Sequence, residues 1–158
     1  MNYRYDWADY YNLGTTGSPS WALMGTGFTS LDEKPGAQSE SKIYINQRTA
    51  SSSVKNYQTA FPFSADAVMT DGIVEDMYNI ATRRATGDEA RREYVRVELW
   101  REAGGADVFT ARKFNVSVQV DSITGAGGQA VVIGGTLNAL GDPEDGEFDV
   151  SAKTFTKK

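Results

Sequence analysis

The sequence predicts a mainly β protein: an antiparallel β-sandwich or barrel flanked by one α-helix, in a single domain covering residues 1–158. The chain has 158 residues, which suits one domain with one hydrophobic core. About seven segments show the alternation of polar and apolar side chains that is typical of strands, whereas only one shows a helical period. A single helix among many strands favours a sheet with the helix packed against it.

The alternation is clearest from residue 108 to residue 120. Apolar side chains fall on one face and polar side chains on the other, as in an antiparallel strand with one buried face. The apolar face carries Val108, Phe114, Val116, Val118 and Val120, and the polar face carries Lys113, Asn115, Ser117, Gln119 and Asp121. Further strands are predicted at 21–31, 42–48, 57–63, 94–100, 129–140 and 147–153.

The helical segment runs from residue 71 to residue 85. Its apolar positions form one stripe along a helix, at Ile73, Val74, Met77, Ile80 and Ala81. Thr70 or Asp71 can cap its start and Gly87 can stop it. We expect this stripe to pack in the core.

Two segments are predicted to contact other subunits. Residues 1–15 show neither the two-residue period of a strand nor the 3.6-residue period of a helix, which predicts an extended arm. Its aromatic rings would cover either its own domain or a neighbouring subunit. These rings are Tyr3, Tyr5, Trp7, Tyr10 and Tyr11. Residues 32–41 form a polar hairpin loop that contains Pro35-Gly36 and is longer than an ordinary hairpin turn. This loop is either mobile at the surface or placed against a neighbour through Asp32, Glu33, Lys34 and Glu40.

The side-chain inventory disfavours catalysis. The chain has no cysteine and no histidine, so thiolate nucleophiles, imidazole ligands and the usual catalytic triad are excluded. Residues 125–130 fit the GxGxxA dinucleotide pattern, but a strand rather than a helix is expected after them. The four carboxylates of residues 142–147 do not have EF-hand spacing, and a solvated turn is the simpler interpretation. We therefore predict no enzyme activity, no cofactor and no metal.

The charge balance argues against a dedicated nucleic-acid binder. The formal net charge is −5 with a sequence pI near 4.8, whereas DNA binding needs clustered Lys and Arg. The first residues carry charges and no apolar run, and no later stretch is long enough to span a membrane. We expect no signal peptide and no membrane segment.

Three parts of the sequence resemble the tail tube (major tail) proteins of long-tailed bacteriophages. They are residues 59–63 together with 73–81 and 86–88, residues 111–118, and residues 135–143 continuing to Phe148. The resemblance implies a β-sandwich flanked by a helix that assembles as hexameric rings. The rings would stack into a hollow tube beside other tail proteins, with DNA passing through the lumen without specific binding. It also implies synthesis in the host cytoplasm and a final location in the virion tail.

In such a tube, a strand can show one face to the protein core and the other to the channel. The polar face of residues 108–120 then supplies the candidate channel wall, unless it faces the outside solvent. Its members are Asn115, Ser117, Gln119 and Asp121, with Thr136 and Asn138 on the next strand.

Two other classes of function stay open on the residues alone. The Tyr and Trp content also suits a β-sandwich module that binds carbohydrate or a cell surface. A small enzyme that uses paired Asp or Glu side chains is the remaining alternative.

Overall fold

The structure, a computed structural model, describes residues 1–158. It contains eleven strands, one α-helix and two short 3-10 turns at Arg4–Asp6 and Gly87–Ala90. The strands are β1 (Trp7–Asn12), β2 (Trp21–Leu23), β3 (Phe28–Leu31), β4 (Ala37–Lys42), β5 (Ser51–Tyr57), β6 (Ala60–Asp66), β7 (Arg91–Gly105), β8 (Val108–Thr124), β9 (Val132–Ala139), β10 (Glu144–Asp149) and β11 (Thr154–Lys157). The helix, α1, runs from Gly72 to Thr82.

Nine strands form one curled antiparallel sheet in the order β2-β1-β7-β8-β9-β6-β3. The long strand β8 organises it, because β7 pairs along one edge while β9 and β10 follow each other along the opposite edge. β10 then pairs with β11. The other two strands, β4 and β5, pair only with each other. The predicted mainly β fold with a single α-helix is confirmed.

The larger core lies inside the curl of the sheet, beneath α1. Phe114, Val116 and Val118 of β8 are buried there, while Asn115 and Gln119 of the opposite face are exposed. The alternation predicted for this strand is therefore correct. Rings from three strands meet in this core, with Phe61 4.8 Å from both Tyr94 and Phe114 between ring centroids.

A smaller core lies on the other face of the same sheet. It is built around Tyr10, Val95, Val97, Ala111 and Phe148. Because the two cores lie on opposite faces, β7 is buried on both sides from Glu93 to Val97. The alternation predicted for residues 94–100 therefore does not separate an inner face from an exposed one.

The helix begins as predicted and ends earlier. Asp71 is the N-cap, and its Oδ1 accepts a hydrogen bond of 2.9 Å from the backbone N–H of Ile73. The side chains of Ile73, Val74, Met77 and Ile80 are buried. The helix stops at Thr82 rather than at residue 85, because Arg84 adopts a left-handed backbone with φ of 53°.

Turns interrupt two of the predicted strands. The segment 21–31 is split into β2 and β3, with Gly27 in the turn at φ of 84°, where an added Cβ would lie 2.9 Å from the Asp66 carbonyl oxygen. The predicted strand 147–153 ends at Asp149, because the Asp149 carboxylate accepts hydrogen bonds from the backbone N–H groups of Ser151 and Ala152 and starts a turn, and β11 follows this turn. Three of the four clustered carboxylates, those of Glu144, Asp145 and Glu147, lie in β10 and not in the predicted turn.

The N-cap of α1 yields a stability prediction. Replacing Asp71 by Ala removes the acceptor for the Ile73 N–H, so the free energy of unfolding should fall by about 1 kcal/mol. The measurement is urea unfolding followed by circular dichroism. Asp71→Asn keeps an acceptor and should stay close to wild type; equal losses in both variants would contradict a capping role.

Candidate subunit interface and channel face

The six candidate channel residues lie together on one polar face of the sheet. Ser117 is the register partner of Asn138, and Gln119 is the partner of Thr136. Asn138 Nδ2 donates to Gln119 Oε1 at 3.0 Å, and Gln119 Nε2 donates to Asp121 Oδ1 at 2.6 Å. Asn115 is exposed at the near end of the same face, which continues onto β6 because Thr136 pairs with Pro62. No cationic side chain is among the six.

The hairpin of β4 and β5 stands apart from the rest of the subunit. Every residue in both strands is exposed. Its cross-strand contacts are polar, with Lys55 Nζ 3.1 Å from Glu40 Oε2 and a hydroxyl contact of 2.7 Å between Ser41 and Ser52. A hairpin with no packed face is marginally stable in water. This segment therefore lacks the packing that normally holds two strands in place.

The tip of this hairpin is apolar, although its strands are polar. Ile43, Tyr44 and Ile45 are 58%, 62% and 110% exposed. Two cationic residues, Lys42 and Arg48, flank them, and residues 42–48 include no acidic side chain. Exposed apolar groups clustered at the end of a projection are typical of a contact surface.

The predicted loop at 32–41 is wrong in its boundaries. Residues 32–34 run beside β6, where Lys34 and Ala60 exchange backbone hydrogen bonds of 2.8 and 2.9 Å. Glu40 lies in β4, and the connecting loop is residues 43–50. The error arises because β4 has no buried face, so its sequence lacks alternation and resembles a loop. Gly36 (φ of 67°) provides the sharp entry into the hairpin, since an added Cβ would lie 2.1 Å from the Gln58 carbonyl oxygen.

The predicted arm at 1–15 is wrong for its second half. Tyr10 and Tyr11 are 5% and 0% exposed and lie in the two cores of their own subunit. They belong to β1, which sits between β2 and β7 and is buried on both faces. The Tyr11 hydroxyl donates to Asp76 Oδ2 at 2.6 Å, and burial together with Asp76 raises the pKa of Tyr11 well above its ordinary value. These two tyrosines hold the fold together and are not available to a neighbour.

The first residues do present aromatic surface. Tyr3 and Tyr5 stack on each other at 5.4 Å between centroids and are 54% and 74% exposed. Trp7 is half-buried and contacts Trp100 edge to face at 6.1 Å, while the Arg101 guanidinium lies 4.3 Å from the Trp100 ring centroid. The period of the sequence did not reveal Trp100 as part of this surface, because the two rings come from different strands.

A polar network crosses the inside of the curl. The carboxylate of Asp9, which is 2% exposed, accepts hydrogen bonds from Tyr94 and Arg4 and lies 3.4 Å from Arg96 Nε. Arg96 also donates to the Leu31 carbonyl at 3.3 Å. Burial and the nearby Asp9 raise the pKa of Tyr94 well above its ordinary value.

Glu33 extends this network to β8. Arg112 donates two hydrogen bonds to its carboxylate, at 2.8 and 2.7 Å, and Arg96 Nη1 lies 3.5 Å away. The hydrogen bonds from Arg112 lower the pKa of Glu33, and the same contact raises the pKa of Arg112. Glu33, predicted as an interface residue, is thus engaged within its own subunit. Asp32 and Lys34 beside it remain exposed.

The structure also bears on the other candidate chemistry. Residues 125–131 form a turn that leads into strand β9, so no helix begins at the glycines of the GxGxxA match. No group of three or more Asp or Glu side chains is arranged to hold a metal ion. Glu144 of the acidic segment instead lies 3.2 Å from Lys113 Nζ. The one α-helix is too short and too polar to cross a bilayer.

Comparison with solved structures identifies the fold. The sequence matches no protein-family model and no curated protein. A chain from the structure described as the tail of an empty GTA particle, computed with helical refinement and C6 symmetry, superposes with a TM-score of 0.59 at 10% identity, covering 99% of both chains. A chain from the 6-fold symmetrised baseplate of the anti-feeding prophage superposes with a TM-score of 0.51 at 7% identity, covering 92% of this chain and 93% of that one. The fold expected from the resemblance to tail proteins is confirmed.

The Glu33 ion pair yields a prediction with a defined pH dependence. Because the folded pKa of Glu33 lies below its ordinary 4.5, its ionised form stabilises the fold above that pH and the stabilisation disappears as pH falls through the folded pKa. At pH 7 the variant Glu33→Gln should lose about 1–3 kcal/mol of unfolding free energy. The difference from wild type should shrink below pH 4.5, as measured by urea unfolding across pH. A difference that is constant down to pH 3 would contradict the ion-pair account.

Proposed function

We propose that this protein is a structural subunit of a phage-type tail tube. The observation that carries the proposal is the hairpin of β4 and β5, which extends from a complete, well-packed domain and is covered by none of it. A segment of this kind finds its packing partner in an assembly. The fold shared with chains of a tail and a baseplate supports the same role.

In the proposed assembly, six copies form a ring and the rings stack. The C6 symmetry of the GTA tail supports this number. The hairpin reaches an adjacent copy through its apolar tip, and the exposed Tyr3 and Tyr5 together with the half-buried Trp7 contribute a second contact. Asp32, Lys34 and Glu40 are charged, exposed positions near these contacts, so they set the salt dependence of assembly more than its strength.

The polar face of β8 and β9 is the proposed channel wall. The amides of Asn138 and Gln119 and the carboxylate of Asp121 are joined by hydrogen bonds, and Asp121 is the one charged residue among the six proposed wall residues. DNA is held tightly where Lys and Arg displace its counterions. The six proposed wall residues include neither, and Lys113, at the end of the same face, is paired with Glu93 and Glu144. Six copies, each with net charge −5, would carry about −30 per ring, which further disfavours adhesion of DNA. The face therefore suits passage of DNA without specific binding.

The proposed role is structural, with other tail proteins as further partners and the virion tail as its location after synthesis in the host cytoplasm. Support comes from the way the subunit uses its charged groups. The buried Asp9 and Arg96 and the half-buried Glu33 are paired with one another across the curl and join strands together. They act as structural links between strands.

Removal of the hairpin tests the proposed assembly. Ala37 and Tyr57 are register partners, so replacing residues 38–56 by Asn-Gly closes the hairpin with a two-residue turn. The melting temperature should stay near that of wild type, because the deleted strands are exposed, while assembly at high concentration is lost. Light scattering and negative-stain microscopy give the readout. The control Asn46→Ser should assemble normally, and tubes of normal length from the shortened chain would exclude a stacking role.

Added positive charge tests the proposed channel wall. The variant Gln119→Arg/Asp121→Arg should still form tubes but should slow the exit of DNA from assembled particles, since guanidinium groups would hold phosphates. The control Gln129→Arg/Asp107→Arg makes the same change of charge at exposed turn positions. Wild-type exit from the first variant, or equal slowing in both, would place this face outside the channel.

A further inference from the structure

An apolar groove opens beside the N-terminal segment of the subunit. Its volume is about 780 Å³, and most of its wall is hydrophobic. Residues from four separate parts of the fold form it, including Tyr5, Trp7, Leu23, Phe28 and Leu99. Leu23 is 52% exposed and Tyr5 is 74% exposed, so the groove leaves large apolar side chains in contact with water.

The two walls of the groove come from strands at different positions in the sheet. Trp7 and Leu99 come from β1 and β7, whereas Phe28 comes from β3 at the opposite edge of the sheet. Leu31, which also lines the groove, accepts hydrogen bonds at its carbonyl from Arg4 and Arg96, both at 3.3 Å. The polar network therefore fixes the spacing of the walls, and the groove is formed before any partner arrives.

We infer that this groove receives the hairpin tip of a second copy, with Ile43, Tyr44 and Ile45 as the inserted side chains. This inference rests on the proposed assembly and names the surface that the tip contacts. Two observations select this occupant. The tip is the most exposed apolar segment outside the first residues, with Ile45 at 110%, and it makes no contact that would cover it in its own subunit.

Charge is the second observation. Lys42 and Arg48 flank the tip, while Asp32 is exposed at the rim of the groove. Arg4 also lines the groove, but its guanidinium is already paired with Asp9. The cationic base of the tip can therefore pair with the exposed carboxylate of Asp32 at the rim, and this complementarity favours one orientation of docking.

The contact is heterologous, because tip and groove are different surfaces of the same chain. Such contacts propagate from copy to copy and produce closed rings or open stacks instead of simple pairs. A chain that carries both surfaces can therefore assemble without an added linker. Blocking either surface should stop growth, and blocking both should add little to the effect of blocking one.

Site-directed cross-linking tests the inference in a chain that has no native cysteine. In the variant Ile45→Cys/Leu23→Cys, a short bis-maleimide should produce a ladder of covalent multimers on a denaturing gel under assembly conditions. Either single variant should give at most a dimer. The control Ile45→Cys/Ile123→Cys uses a residue of similar exposure, 44%, at the far end of β8 and should give no ladder.

The possible outcomes separate this inference from the proposed function. A ladder specific to the Leu23 pair supports the docking. Tubes that form without that ladder, or with an equal ladder from the Ile123 pair, overturn the docking and leave the tail-tube role standing. A wild-type chain that stays monomeric at all concentrations overturns both. Ser30→Cys, also in the groove wall, replaces Leu23→Cys should that variant melt at a lower temperature than wild type.

Discussion

The structure depends on a set of buried and half-buried ion pairs that joins β1, β7 and β8 to the segment after β3. Asp9 on β1, Arg96 on β7, Glu33 after β3 and Arg112 on β8 contact one another in sequence across the curl. Because desolvation offsets most of the attraction between buried charges, such pairs add little net stability, but losing one partner is costly. Their effect is geometric: they fix where the Leu31 carbonyl, and with it the β3 edge, lies relative to β1 and β7.

Closing the curl has a consequence for assembly. Once β3 is held against the inside of the sheet, the two cores on opposite faces are complete and the remaining hairpin has no surface left to cover within its own subunit. The apolar residues therefore have two different roles. Most stabilise the domain, whereas Ile43, Tyr44 and Ile45 lie exposed on a projection, and in the proposed assembly contact with another copy offsets the cost of ordering it.

Sequence patterns predicted the elements that have one solvent-exposed face and one buried face. The polar face of β8 and the apolar stripe of α1 are of this kind, and both were found at the predicted positions. Patterns failed where burial was symmetric. The sequence of β1, which is buried on both faces, predicts an arm, and that of β4, which is exposed on both faces, predicts a loop. The ion pairs were also out of reach, because Asp9 and Arg96 are far apart in sequence and only strand pairing brings them together.

The same asymmetry explains how one strand can serve both the core and the proposed channel. On β8, side chains that point into the curl are closely packed, so changes there alter stability. Side chains on the polar face are joined mainly to each other, through the hydrogen bonds from Asn138 to Gln119 and from Gln119 to Asp121. These bonds occupy one N–H donor of each amide that could otherwise bind phosphate. A wall built in this way offers DNA few fixed partners, because three of its polar side chains already bond to one another and none of the six carries a positive charge.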